Sequence, residues 1–253
     1  MFSNDTIVDL RDLGAISLIF VGDIHGEFGE VLKNINMIPD SIQVYCGDIG
    51  MGFYKSGYYS TEFNKIQKRA EKKNCTIIFI RGNHDDPRYF RGSVDLFNPS
   101  EYSRIWMANE WQLFQTIWGN ILCQGGAVSV DKYARTPDLT WWKDEEITYI
   151  DVEELGTRFG DEPIDIIATH SAPHSFSPLG NKAVSMNWWY DDIIDACDKE
   201  REYLQKVLVY LKANKHPKYW FYGHYHNSYF NTSDNLTAYG LNINEIREVA
   251  LTK

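Results

Sequence analysis

Five short apolar runs, each giving way abruptly to polar residues, set the pattern of the chain: 16–21, 42–46, 76–80, 164–169 and 219–222. Runs of this length, bounded by Gly, Asn or Asp, predict buried strands. Between them the apolar spacing lengthens to that of a helix. Phe28, Val31, Leu32 and Ile35 predict a helix over 26–37, and Phe63, Ile66 and Ala70 predict a strongly charged one over 61–73. A short helix is expected over 151–159. A long one is expected over 188–214, with Ile193, Ile194, Cys197, Leu204, Val207, Leu208 and Leu211 on one side. Residues 6–10 belong to an opening strand region, and 225–230, 236–239 and 246–251 read as closing strands. From 106 to 126 the runs shorten. Gly119-Asn120 between 111–118 and 121–124 is a hairpin signal, which suggests a second sheet of antiparallel strands. Segments 50–57, 129–142 and 172–187 read as loops, and loops as long as the last are often functional. No repeat, low-complexity tract or linker interrupts 1–253, so a single α/β domain is expected.

Candidate chemistry collects where the strands end. The first run leads into Gly22-Asp23-Ile24-His25-Gly26 and the second into Gly47-Asp48. The third leads into Arg81-Gly82-Asn83-His84-Asp85, the fourth into His170, and the fifth into Gly223-His224-Tyr225-His226. Asp23 and His25 are two apart and so leave their strand on the same side. Glycine in four of the five turns allows backbone conformations that a Cβ would hinder. Each residue alone has a plainer reading. Asp23 suits a helix cap, Asp48 a turn carboxylate, and Asn83 a left-handed turn. Together they match the needs of two adjacent divalent ions: one shared carboxylate, plus neutral imidazoles and oxygen ligands.

Composition narrows the partners. The chain has 253 residues, a net charge of −10, 43% hydrophobic residues, 8 Trp and 16 Tyr, which is globular and acidic. That balance disfavours the basic footprint of duplex nucleic acid binding, and with it a nuclease. It leaves room for a small phosphorylated substrate, because bound cations reverse the local field. Cys46, Cys75, Cys123 and Cys197 form no Cys-x-x-Cys pair and read as thiols. No signal pattern opens the chain, and the longest apolar run, 15–21, is too short to span a bilayer. A cytoplasmic location is the expectation.

In chain order, Asp-x-His, Gly-Asp, Gly-Asn-His-Asp, a strand-end His and Gly-His-x-His resemble the full signature of the calcineurin-like metallophosphoesterase superfamily, over residues 22–226. The resemblance implies a four-layer α/β/β/α sandwich of two mixed β-sheets flanked by helices, with the site at the sheet edge. It implies that Asp23, His25 and His226 hold one divalent ion, that Asn83, His170 and His224 hold the other, and that Asp48 bridges them. Mn2+ is the expected metal, with Fe, Zn or Ni as alternatives. His84 is expected to protonate the leaving oxygen, with Asp85 orienting its ring. The implied activity is hydrolysis of a phosphate mono- or diester, in a small-molecule or nucleotide-like substrate. Alternatives are a serine/threonine-type protein phosphatase and a metal-binding protein without turnover. Retention of His84 and Asp85 speaks against the latter.

Arg81-Gly82-Asn83-His84 also resembles the phosphoprotein phosphatase branch. Two departures weigh against it: Ile49-Gly50-Met51-Gly52-Phe53 after Asp48, and the ending Gly-His-x-His in place of Gly-His-Thr. The segment 125–131, followed by Arg135 and Trp141-Trp142, is similar to bacterial and phage metallophosphoesterases of undefined substrate. Arg81 and Arg135 are candidates to grip a phosphate oxygen, whereas Arg88 reads as a surface ion pair. Trp141-Trp142 and Trp188-Trp189 read as packing residues, His216 as solvated, and His174 as a loop residue that can face the cleft. Residues 143–146 read as a solvated face or a helix start.

Overall fold

A computed structural model describes residues 6–92, 102–178 and 190–250. The first half alternates strand and helix: β1 (Ile7–Asp9), β2 (Ser17–Val21), α1 (Phe28–Met37), β3 (Ser41–Tyr45), α2 (Ser56–Lys73), β4 (Thr76–Phe79), α3 (Pro87–Phe90) and β5 (Ile105–Met107). The second half adds β6 (Gln112–Thr116), β7 (Gly119–Gln124), α4 (Val152–Phe159), β8 (Ile166–Thr169), α5 (Asp191–Asn214) and β9 (Tyr219–Tyr222). It closes with β10 (Tyr229–Ser233), β11 (Leu236–Gly240) and β12 (Ile246–Val249). Two sheets result, ordered β12-β2-β3-β4-β5 and β1-β6-β7-β8-β9-β11-β10. Both are mixed. In the first only β12 runs antiparallel to its neighbour, and in the second the antiparallel pairs are β6–β7 and β10–β11.

Side-chain alternation along the strands builds the layers. In β2, Leu18 and Phe20 face the second sheet, in a core with Phe114, Ile121, Cys123, Ile166 and Phe221. Ile19 and Val21 face the other way, against Phe28, Val31 and Ile35 of α1 and Phe63, Ile66 and Ala70 of α2. On the outer face of the second sheet, Leu113, Leu122, Ile167 and Trp220 pack on Leu155 and Phe159 of α4 and Leu204, Val207, Leu208 and Leu211 of α5. Three apolar cores between four layers give the α/β/β/α sandwich. Phe20 and Phe221 join the sheets with rings 3.9 Å apart and parallel within 1°. Truncating a buried ring of this kind to Ala costs about 3–5 kcal/mol.

Several expectations shift on the structure. The second sheet is not antiparallel as a whole. The β6–β7 hairpin turns at Ile117-Trp118, two residues before Gly119-Asn120, because Thr116 pairs with Gly119 and its Oγ1 ties the turn to Trp118 N and Gly119 O. β5 is a further strand. α2 starts before residue 61, because Tyr59 is buried and its hydroxyl gathers the preceding loop. That hydroxyl accepts from Gly52 N and Tyr54 N and donates to Gly50 O. The strand expected from 225 begins only at Tyr229, since His224 and His226 have positive φ and turn the chain first. Residues 143–146 form no helix, and Glu145 is buried rather than solvated. In α5 the inward side carries Glu200 and Arg201 as well as apolar residues. The Trp188-Trp189 pair and the end of the 172–187 loop lie outside the described residues.

Candidate metal centre

The carboxyl ends of β2, β3 and β4 in one sheet meet those of β8 and β9 in the other, and all seven expected ligands leave from these ends. Four of them, His25, Asp48, His224 and His226, have positive φ (44°, 48°, 68° and 47°). Non-glycine residues rarely adopt this conformation, and it concentrates at functional sites. The turns hold one another: Ile24 N and His25 N donate to Asp48 O. Gly47, at φ 103°, has no Cβ because one would run into the His170 ring. A Cβ on Gly223 would run into the Asp23 carboxylate.

Two donor sets converge. In the first, His226 Nε2 lies 3.1 Å from Asp23 Oδ2 and 2.9 Å from His25 Nε2, and His25 Nε2 lies 3.9 Å from Asp23 Oδ2. With Asp48 these residues offer ligand atoms that all lie within 4.8 Å of one another. In the second, Asn83 Oδ1 is 3.0 Å from both His170 Nε2 and His224 Nδ1, and His170 Nε2 is 3.2 Å from Asp48 Oδ1. Asp48 turns its other oxygen toward the first set, 3.9 Å from His25 Nδ1. Ligands at right angles on an ion with bonds of about 2.1 Å stand about 3 Å apart, so both sets have the separations of donors around a small cation.

The chemistry of the donors fits a cation as well. His170 Nδ1 lies 2.8 Å from Cys46 O. A carbonyl only accepts, so Nδ1 carries a proton; in the neutral ring that a metal requires, the Nε2 lone pair would point at two oxygen acceptors, whereas without a cation Asp48 and Asp23 favour the doubly protonated ring. A metal-bound histidine commonly has this arrangement, with its other N–H on a backbone carbonyl. Asp23 and Asp48 are fully buried, and their ion-pair partners among the described residues are imidazoles. Buried carboxylates without a lysine or arginine need another source of positive charge, which a bound cation or a protonated His170 can supply. Against the desolvation of burial, His170 and then His84 and His25 hold Asp48 far below the carboxylate range. Burial alone would lower His170, but Asp48 and Asp23 lift it up to about 10. Burial and the His170 charge push His224 down to about 3.

Beside these sets, His84 Nε2 accepts a hydrogen bond from Arg135 Nη2, which leaves the ring proton on Nδ1. Burial lowers the His84 pKa, and Arg135 adds to the effect against the pull of Asp48. Arg135 also pairs with Asp131 at 2.7 Å. Two expected roles are not met. Asp85 does not orient His84, because its carboxylate accepts from the backbone amides of Ile49, Gly50, Met51 and Gly82 at 2.7–3.0 Å. Arg81 is buried, and its guanidinium is engaged by protein groups rather than presented to a cleft. It donates to Glu145 O at 2.5 Å and Glu146 O at 2.9 Å, securing the 144–146 backbone. Arg88 pairs with Asp86 at the surface end of α3, His174 lies in a short 3-10 turn, and His216 is exposed.

Sequence reasoning also passed over Ser129 and Glu145. Both are buried; Ser129 is hydrogen-bonded to Asn83, and Glu145 to Ser129. The only signal was the polarity of residues inside segments otherwise read as a loop and a solvated face.

Comparison with known proteins gives consistent relatives. Residues 16–228 match the family model described as calcineurin-like phosphoesterase. A curated relative named Shewanella-like protein phosphatase 1, from Plasmodium berghei (strain Anka), is 37% identical over 97 residues, covering 33% of this chain and 26% of that protein. The chain thus matches about a quarter of that relative's length. Among solved structures, phosphopantetheinyl hydrolase from Mycobacterium tuberculosis superposes with a TM-score of 0.51 at 12% identity, covering 92% of this chain and 95% of that one. A dimetal phosphatase from Danio rerio superposes with a TM-score of 0.50 at 10% identity, covering 91% and 88%. At these identities the two structures share the fold.

Proposed function

Because the chain belongs to the calcineurin-like phosphoesterase family, we propose that it hydrolyses phosphate mono- or diesters at a dinuclear metal centre, as one catalytic domain over 1–253. Asp23, His25 and His226 hold one ion, Asn83, His170 and His224 hold the other, and Asp48 serves both. Mn2+ suits this mixed set of oxygen and imidazole donors. When bound, two such ions neutralise phosphoryl charge and lower the pKa of water. The observation that carries the reading is the convergence of the two donor sets on the two oxygens of Asp48.

The chain's own groups supply the rest. Arg135 presents a planar guanidinium beside His84, which suits a phosphoryl oxygen. His84, free of ligand duty, donates a proton to the leaving oxygen. Its lowered pKa makes its protonated form a stronger acid, and a bound phosphate anion facing His84 and Arg135 favours that form. The adjacent cleft, of about 200 Å3, is lined by His25, Gly50, Phe53, Tyr54 and His84. Phe53 stacks toward His84 at 6.3 Å, and Phe53 and Tyr54 are 39% and 51% exposed. An exposed aromatic wall beside the proton donor favours an aryl or nucleotide-like leaving group. No helix among the described residues is long and apolar enough to cross a membrane. The free cysteines suit a reducing compartment, and we assign the enzyme to the cytoplasm.

The test is kcat/KM with Mn2+ for bis-nitrophenyl phosphate, a cyclic nucleotide panel and a phosphoserine peptide. The diester or a nucleotide is expected to be turned over at least as well as the peptide. A clear preference for the phosphopeptide with negligible diesterase activity would overturn this and favour a second reading, dephosphorylation of proteins, which the similarity to a protein phosphatase supports.

A further inference from the structure

Asn83 is the one neutral amide among the seven donors. An amide can present either its oxygen or its NH2, and only the oxygen can ligate a cation. Something must therefore set its orientation. Asn83 Nδ2 lies 3.0 Å from Ser129 Oγ. Ser129 Oγ lies 2.7 Å from Glu145 Oε2, and Ser129 N donates to Glu145 Oε1 at 2.7 Å. All three residues are at most 3% exposed. The 144–146 backbone that carries Glu145 is held by Arg81, two residues before Asn83.

Burial pushes Glu145 up to about 7, against the two bonds from Ser129. In its ionised form the donor count leaves one solution: the carboxylate only accepts, so it takes the single hydroxyl proton of Ser129. Ser129 Oγ is left with lone pairs and must accept from Asn83, so the NH2 of Asn83 faces Ser129. Its oxygen consequently faces His170 Nε2 and His224 Nδ1. We infer that Glu145 and Ser129 are positioning residues: a buried carboxylate–hydroxyl relay that orders Asn83 with its oxygen toward the second ion. The inference rests on the dinuclear reading above.

Glu145→Gln separates this role from packing. The glutamine has the same shape, and its oxygen still accepts from Ser129 N. Its NH2 then donates to Ser129 Oγ, which frees the hydroxyl proton to point at Asn83 and removes the preference for one amide orientation. The measurement is Mn2+ titration of chelator-treated protein by calorimetry, with electron paramagnetic resonance distinguishing a coupled Mn2+ pair from an isolated ion. Wild type should bind two ions. Glu145→Gln and Ser129→Ala should each weaken one of them by about 10–100-fold and leave the other unchanged, replacing the coupled signal by that of an isolated ion at intermediate Mn2+. The double variant should be no weaker than the worse single one, because both act through Asn83. Two ions of unchanged affinity in Glu145→Gln would overturn the relay alone. Equal loss of both ions would also overturn it, marking a general structural effect. Fewer than two ions on wild type would overturn the dinuclear reading and the relay with it.

Discussion

Replacing Asp85 with asparagine should destabilise the fold rather than merely slow a reaction. Asp85 Oδ1 accepts from Gly50 N at 2.7 Å and Met51 N at 2.8 Å, while Oδ2 accepts from Ile49 N at 3.0 Å and Gly82 N at 2.7 Å. Burial and the nearby Asp48 charge push this carboxyl up to about 7, against the pull of the amides. Four N–H donors nevertheless fill its lone-pair directions, and a protonated form has nowhere to donate. Asparagine keeps one oxygen and sets an NH2 against the other two amides. Each buried N–H left without an acceptor costs about 1–3 kcal/mol, so the pair costs roughly 2–6 kcal/mol. In a chain of this size 1 kcal/mol moves Tm by about 2–4 °C, which predicts a fall of at least about 4 °C. Because residues 49–51 follow Asp48 directly, metal affinity should fall as well. Thermal unfolding followed by circular dichroism, with metal content measured in parallel, tests this. A Tm within about 2 °C of wild type would refute the reasoning and return Asp85 to a role on His84.

Asp48→Asn should weaken both ions together, whereas His226→Ala should chiefly empty one site. Elemental analysis of the purified variants decides, and full retention in Asp48→Asn would remove the shared-ligand assignment. His84→Ala should keep the metals but slow turnover by about 10²–10⁴-fold for poor leaving groups, and by much less for nitrophenolate. Equal losses on both substrate types would count against the proton-donor role. Glu110, although desolvated, is held below its ordinary 4.5 by Thr148, Arg91 and Arg81. Its contribution is therefore present above that value and lost as pH falls through the lower, folded one. The stability gap between wild type and Glu110→Gln, from urea unfolding, should be constant near pH 7 and shrink below about 4.5; a gap that does not shrink contradicts this.

The candidate metal donors were legible because each follows a strand whose apolar run marks where it ends. The near-continuous apolar character of 17–21, 41–45 and 76–79 marks strands buried on both faces, and parallel pairing brings their carboxyl ends to one edge. What was not legible depends on partners far along the chain. Beside the local Gly82, the amides that hold Asp85 lie as far as 36 residues before it, at Ile49, and the carbonyl held by Arg81 lies 64 residues after it. Nothing local separates a carboxylate that orients a histidine from one that ties a loop. Glu145 sits in a charged stretch and looks solvated until the fold buries it under Ser129. The early start of α2 was masked by its tyrosines, of which Tyr59 pins the Gly-rich loop through its hydroxyl. The hairpin turn moved by two residues because the Thr116 side chain, not the Gly-Asn pair, organises it.

The proposed dinuclear centre is tested most directly by anomalous diffraction from crystals grown with Mn2+. Two peaks should appear roughly 3.5–4 Å apart, one among Asp23, His25 and His226 and the other among Asn83, His170 and His224, with Asp48 between them. A single peak, or ions bound away from Asp48, would contradict the account.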